Sequence, residues 1–316
     1  MAEAKFRRCS VTGLQVHLVA QRLIVLNFLM AIISIIIGGI AAIFVGLTRS
    51  SFVLLETLGM QDTYYYWLNL HGFNMLVFWI LWFEVALIYC VSTVLLNAPL
   101  FSMRLGWLAF ILMLGGWLIM NIMNFTGNSI VLFTAYIPMV APSIFYVGYI
   151  LFALGVGLAV ILFFLALYKA RIEGRYSGHL PLVTWGAAIA AIIGLVVVAH
   201  GAFALIYALL FSAGYGLAGD VMFYRWLFWG LGHSAQYVNV TATVAARYAL
   251  LALGTGFVAA KFVNERMIIS EILREGYLEY PKRITLRQLA RKLRRSRTGT
   301  ILMLRRVFRK LINTAM

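Results

Sequence analysis

Six apolar runs, each long enough to cross a bilayer, constrain this chain more than any other feature. They lie at about 23–48, 66–96, 105–124, 142–168, 183–212 and 222–250, and a helix needs roughly 20 residues to cross about 30 Å of hydrocarbon. With 63% hydrophobic and only 11% charged residues, the chain carries more apolar surface than a soluble domain can enclose. The first run is too long for the core of a cleaved leader and has no small-residue cleavage site, so it reads as a retained span. The expected fold is an all-α integral membrane protein with about six transmembrane helices. Asn97-Ala98-Pro99 closes the second span, Pro142 opens the fourth, and Pro181 precedes the fifth. Cys9 and Cys90 lie far apart in sequence, which argues against a disulfide framework or a thiolate metal site.

Basic residues orient the spans. Lys5, Arg7, Arg8, Arg104, Lys169, Arg171 and Arg175 fall on one side, whereas the opposite loops hold Glu56, Asp62 and Asp220 beside Arg49 and Arg225. By the positive-inside rule both termini face the cytoplasm. Three regions follow: an amino-terminal segment 1–22, a membrane bundle 23–260 and a tail 261–316. The tail holds 15 Lys and Arg against four Glu, so most of the chain's net charge of +16 lies there. Thr285 and Gln288 form a capping-box pattern, followed by an apolar stripe of Leu286, Leu289 and Leu293; a second stripe runs Ile301, Leu304, Phe308, Leu311. A basic amphipathic tail beside a membrane is expected on anionic headgroups first, on a partner subunit second, and on nucleic acid last.

Ionisable side chains at membrane depth are costly and point to function. His233 is followed one turn later by Tyr237, on the same helix face. His71 follows the aromatic cluster Tyr64-Tyr65-Tyr66-Trp67, about 8 Å below its middle at 1.5 Å per residue, and Gly72 beside it would let a planar group approach the backbone. Neutral imidazoles on separate helices suit iron or copper. The competing readings are a buried histidine bonded to a neighbouring helix, and a phenol bonded across the bundle. His200 is a candidate further ligand or a helix-packing donor. Glu84, some 20 Å below His71, is a candidate proton-transfer group or the partner of an arginine. Asn121, Asn124 and Asn128 read as ordinary interface polar groups, and nothing is assigned to His17 or His179.

Read in order, these segments resemble the catalytic subunit I of the haem-copper oxidase superfamily, the terminal oxidases and their nitric oxide reductase relatives. The family's second-span haem ligand, a histidine followed by glycine, is matched by Leu70-His71-Gly72. Its sixth-span Gly-His-Pro-x-Val-Tyr, whose histidine binds copper and is covalently joined to the tyrosine, is matched in part by Gly232-His233-Ser234-Ala235-Gln236-Tyr237. Asn128–Pro138 resembles an outer loop of the B type, the nearest in pattern. The resemblance covers roughly residues 20–250. It implies His71 as a ligand of low-spin haem, His233 as a copper ligand, Tyr237 as a catalytic proton and electron donor, and protons entering near Glu84.

The departures are as informative. Ser234 and Gln236 replace the motif's proline and valine, and the family's remaining haem and copper ligands lie in spans seven to twelve, which have no counterpart among these 316 residues. Either subunit I is split and a partner chain supplies the missing spans and ligands, or the half-bundle is a nonenzymatic scaffold. The expectation is a membrane subunit of a respiratory complex in a prokaryotic plasma membrane, contributing to oxygen reduction, with nitric oxide reduction as the nearest catalytic alternative. Its expected partners are membrane lipids, other respiratory subunits and a cytochrome c or small copper protein, without nucleic acid.

Overall fold

Helix starts coincide with residues that satisfy, or do not need, the free N–H groups of a first turn. The computed structural model describes residues 6–8, 15–49, 59–60, 63–96, 98–174, 180–215, 220–255, 285–293, 296 and 298–300. Within them, α1 spans Leu18–Arg49, α2 Tyr64–Thr93, α3 Met103–Phe125, α4 Ser143–Ile172, α5 Leu182–Ser212, α6 Val221–Thr255 and α7 Leu286–Lys292. Ser102 caps α3, Pro142 and Pro181 stand at the N-caps of α4 and α5, and the Asp220 carboxylate accepts from the N–H groups of Met222 and Phe223 in front of α6. Before α1, His17 Nδ1 accepts from Ala20 N–H at 3.4 Å. Burial holds this imidazole below its ordinary pKa, favouring the neutral ring that can accept.

The helical membrane fold is the one expected, with a small addition ahead of its first helix. β1 (Phe6–Arg8) pairs antiparallel with β2 (Gln15–His17), Phe6 opposite His17, so backbone outside the helices finds partners in a small hairpin. Among the described residues five helices, α1 to α5, combine the length and apolar composition of a membrane span. The sixth run forms the longest helix, 35 residues, but Arg225, His233, Gln236, Asn239 and Arg247 make α6 markedly more polar than the others.

The core sits around α2, which touches all five other long helices. Its Phe73, Phe78 and Trp82 are fully buried and meet Phe145, Tyr149, Phe152 and Phe110 in edge and tilted contacts. A close helix crossing joins α3 to α4. A Cβ on Gly116 would collide with the Gly148 carbonyl oxygen, and one on Gly155 would lie 2.7 Å from that of Ala109. Small residues at these positions let two backbones pack in van der Waals contact.

One irregularity bears on the site. Directly after Phe73, α2 widens into a π turn over Asn74–Phe78. The Asn74 amide donates both to the Leu70 carbonyl at 3.0 Å and to Asn121 Oδ1 of α3 at 2.9 Å. A side chain that takes up an i−4 carbonyl competes with the helix ladder, and such bulges recur beside functional residues.

Candidate functional site

His71 lies one turn above that bulge. Its Nδ1 is 2.9 Å from the Gly38 carbonyl oxygen on α1, and a carbonyl can only accept, so Nδ1 carries a proton and, of the two neutral tautomers, the contact selects the one whose Nε2 has its lone pair. This is the arrangement in which metal-binding histidines are held, with one ring nitrogen tied to a backbone carbonyl and the other free to ligate. Gly38 allows the approach: a Cβ there would lie 2.7 Å from Met75 Cγ and force α1 away from α2. At Gly72 a Cβ would come no nearer than 3.5 Å to Phe133, so this glycine leaves room without being required by its neighbours.

His233 and Tyr237 are brought together as their spacing predicts. Their rings stack with centroids 5.3 Å apart and planes 11° from parallel. Both point away from the bundle, on an exposed stripe that runs Trp229, His233, Gln236, Tyr237, Val240, Val244 and Arg247. His200 is not part of that stripe. Its Nδ1 donates to the Val196 carbonyl of its own helix at 3.0 Å, and its ring fills the space left by Gly230 on α6, where a Cβ would collide with Cδ2.

Glu84 is buried, and its neighbour was not evident from the sequence. With the Asn239 amide nitrogen turned toward it, Asn239 donates to Glu84 Oε1 at 2.6 Å and to the Ala235 carbonyl at 3.2 Å, linking α2 to α6. The pair borders an apolar cavity of about 100 Å³ between α2, α4, α5 and α6, lined among others by Ile80, Ala187, Ala191 and Leu231. His71 and Glu84 thus share a helix but have separate surroundings.

Sequence reasoning placed Asn121 and Asn124 at an interface; both are in fact buried, at 3% and 1% exposure. Asn124 accepts from Asn69 at 2.9 Å and from Ser129 at 2.5 Å, Asn74 donates to Asn121, and Trp117 Nε1 donates to Ser34 on α1 at 2.9 Å. These groups cross-brace α1, α2 and α3 around the His71 turn. Two asparagines on each of two consecutive spans, Asn69 and Asn74 five apart against Asn121 and Asn124 three apart, were the available signal. At the same end of α6, Tyr224 OH donates to the Thr134 carbonyl at 3.1 Å and Arg225 lies over Tyr136 at 5.4 Å, seating the loop after α3.

Of the expected cofactors, the residues fit one in part. His71 would offer one oriented ring nitrogen to haem iron. For copper, His233 would be one ligand, and among the described residues no group of three or more His, Cys, Asp or Glu could hold a metal ion.

In the tail, the capping box is formed as the sequence predicts. Gln288 N–H donates to Thr285 Oγ1 at 3.3 Å, and Thr285 N–H to Gln288 Oε1 at 2.7 Å. Leu289 and Ala290 are buried, while Arg287 and Arg291 are exposed on the other side. After α7, Ser296 caps the next helical turn: its Oγ accepts from Gly299 N–H at 3.0 Å and its carbonyl from Thr300 N–H at 2.9 Å. The second apolar stripe, Ile301 to Leu311, and His179 lie outside the described residues.

Fold and site together define a polytopic helical membrane protein with one anchored imidazole inside the bundle and a second displayed on its outer helix. A family model described as Cytochrome C and Quinol oxidase polypeptide I matches residues 22–273, and the chain belongs to this family. Subunit 1 of cytochrome c oxidase from Thermus thermophilus is 28% identical over 253 residues, 77% of this chain and 43% of that protein. A heme-copper terminal oxidase dimer solved by cryo-EM contains a chain of similar fold, with a TM-score of 0.60 and 24% identity over 73% of this chain and 39% of that one. The chain therefore spans less than half the length of these relatives. A second model, described as an HTH DNA binding domain, matches residues 264–313.

Proposed function

We propose that this chain is a membrane subunit of a haem-copper oxidase-like respiratory complex, supplying half of a subunit I bundle whose remaining helices come from another polypeptide. The observation that carries this reading is the exposed stripe of α6. Imidazole, amide, phenol and guanidinium groups on one face of a bilayer-length helix are costly against lipid and call for a polar protein partner. Both termini then face the cytoplasm of a prokaryotic cell, with 23–260 in the plane of the membrane.

In this reading His71 holds haem iron through Nε2 while Gly38 fixes its tautomer, and His233 joins ligands from the partner at copper. When bound, haem supplies one-electron transfer. Tyr237, stacked on His233, stands where it can pass a proton and an electron into that shared space. Glu84, held by Asn239, is a proton-transfer group on the cytoplasmic side. The test is made on the purified complex. His71→Ala should remove a reduced-minus-oxidised haem band, and His233→Ala should lower copper content, with the chain still assembled. Unchanged haem and copper in both variants would leave the nonenzymatic scaffold as the better account.

The tail supports a second reading alongside the first. The helix α7, its exposed arginines and a match to a DNA-binding family model together favour residues 264–313 as a unit that binds double-stranded DNA. Nucleic acid, placed last on charge alone, becomes the first choice for this segment. Purified full-length protein in detergent should shift a labelled duplex, with affinity falling steeply as salt rises; no shift at low salt would reject the reading.

A further inference from the structure

The sequence reading put the tail on anionic lipid. Two observations favour another polyanion. An interfacial helix needs its apolar face open, because that face is what enters the headgroup boundary. In α7 the middle of that face is already covered: Leu289 is 0% and Ala290 4% exposed, Leu286 and Leu293 are half-buried, and Thr300 in the helical turn at 298–300 is likewise buried. What α7 presents outward is Arg287 and Arg291, one turn apart, ahead of the helical turn that Ser296 caps. In a helix-turn-helix the first helix crosses the phosphate backbone while the second enters the major groove, and exposed arginines on the first helix suit the phosphates.

The second observation is distance along the chain. The described part of α6 ends at Thr255, and the match to the DNA-binding family begins at residue 264. Eight intervening residues reach at most about 30 Å even fully extended. The start of the matched unit is therefore within that reach of the end of the described part of α6.

We propose that this chain tethers double-stranded DNA to the membrane, the unit around α7 gripping the duplex while the six-helix half-bundle anchors it. This rests on the reading of the tail as a DNA-binding unit, and it adds the place and the anchor. With its net +11 the tail stands between two polyanions, the duplex and an anionic leaflet, and its covered apolar stripe turns the balance toward the duplex.

The test uses the full chain in lipid nanodiscs, which expose both faces, and a labelled duplex of mixed sequence. Discs of phosphatidylcholine alone, and discs with phosphatidylglycerol added, should both retain the duplex when captured through their scaffold protein. Arg287→Gln with Arg291→Gln should weaken retention about tenfold by removing two phosphate contacts. Leu289→Ser, which keeps every charge but opens the covered face, should weaken it at least as much. Retention unchanged by Leu289→Ser would mean that an unstructured basic strand suffices, and would overturn the proposal. Duplex bound in detergent and in phosphatidylcholine discs but released by phosphatidylglycerol would show that the tail prefers lipid, and would overturn the tether while the DNA-binding reading survives. No binding in detergent or in either disc would remove both.

Discussion

At the scale of single residues, the chemistry rests on polar groups that find partners inside an apolar bundle. His71 is the clearest case: what makes it a candidate ligand is not its position in an apolar run but the Gly38 carbonyl that takes its Nδ1 proton, leaving Nε2 free. That partner stands 33 residues away on another helix, so the sequence could name the histidine but not its tautomer. The asparagines were undervalued for the same reason, since a buried amide and an interfacial one look alike until the facing helix is in place. Asn74 and Asn121 therefore make a sharp prediction. Asn74→Leu leaves Asn121 Oδ1 buried without its donor and should cost about 1–3 kcal/mol, as Asn121→Leu should in the converse sense. The double variant should cost less than the sum of the two, because neither orphan then remains. Thermal unfolding of the four proteins in one detergent measures the coupling, and strict additivity would show that the bond contributes nothing. Asn239→Leu offers a second check: it deprives the buried Glu84 carboxyl of its partner at 2.6 Å and should destabilise, whereas Glu84→Gln, which keeps a hydrogen-bonding group there, should be tolerated better.

At the scale of elements, length and composition told almost everything about α1 to α5 and much less about α6 and α7. A span is legible because hydrocarbon thickness dictates a minimum apolar length, and the helices observed extend the six runs by a few residues at most of their ends. How the helices face one another is not legible, because glycine reads the same at a crossing and on a lipid-facing side. The α3–α4 pair separates the two. Gly116→Ala and Gly155→Ala would drive Cβ atoms into heavy atoms across the crossing, the nearest in the first case a backbone oxygen, so α3 and α4 must part. Each should lower stability by about 1–3 kcal/mol, the usual cost of overpacking. Gly115→Ala, with nothing within 4 Å, should be neutral or stabilising by up to about 1 kcal/mol. Melting temperatures that fail to separate position 115 from 116 would refute the crossing. In α7 the capping box was readable from Thr285 and Gln288 alone, because a cap is local. The use of its apolar stripe was not, because which side becomes covered depends on tertiary packing rather than on local sequence.

At the scale of the whole molecule, one chain joins a membrane half-bundle to a tail matched by a DNA-binding family model, and the two ask for different partners. The half-bundle has two kinds of outward surface. On α1, Ile36, Ile40 and Ile43 are more than half exposed and purely apolar, the composition expected against lipid tails. On α6 the exposed stripe interleaves Trp229, Val240 and Val244 with His233, Gln236, Tyr237 and Arg247, a mixture that lipid solvates poorly and a polar-lined helix solvates well. Under the proposed function, the asymmetry predicts where a partner's helices dock. A photo-crosslinking residue at position 240, midway along the stripe, should join the chain in native membranes to a single polypeptide with several hydrophobic spans. The same residue at position 40 on α1 should give only lipid adducts. Substitutions that make the stripe less polar, Gln236→Leu with Thr243→Leu at the exposed threonine one turn beyond Val240, should reduce the adduct at 240, because the partner's polar groups then face a surface less able to answer them. Equal crosslinking at 40 and 240, or a yield at 240 indifferent to the substitutions, would mean that α6 faces lipid after all. The displayed His233–Tyr237 pair would then be a remnant without a second half.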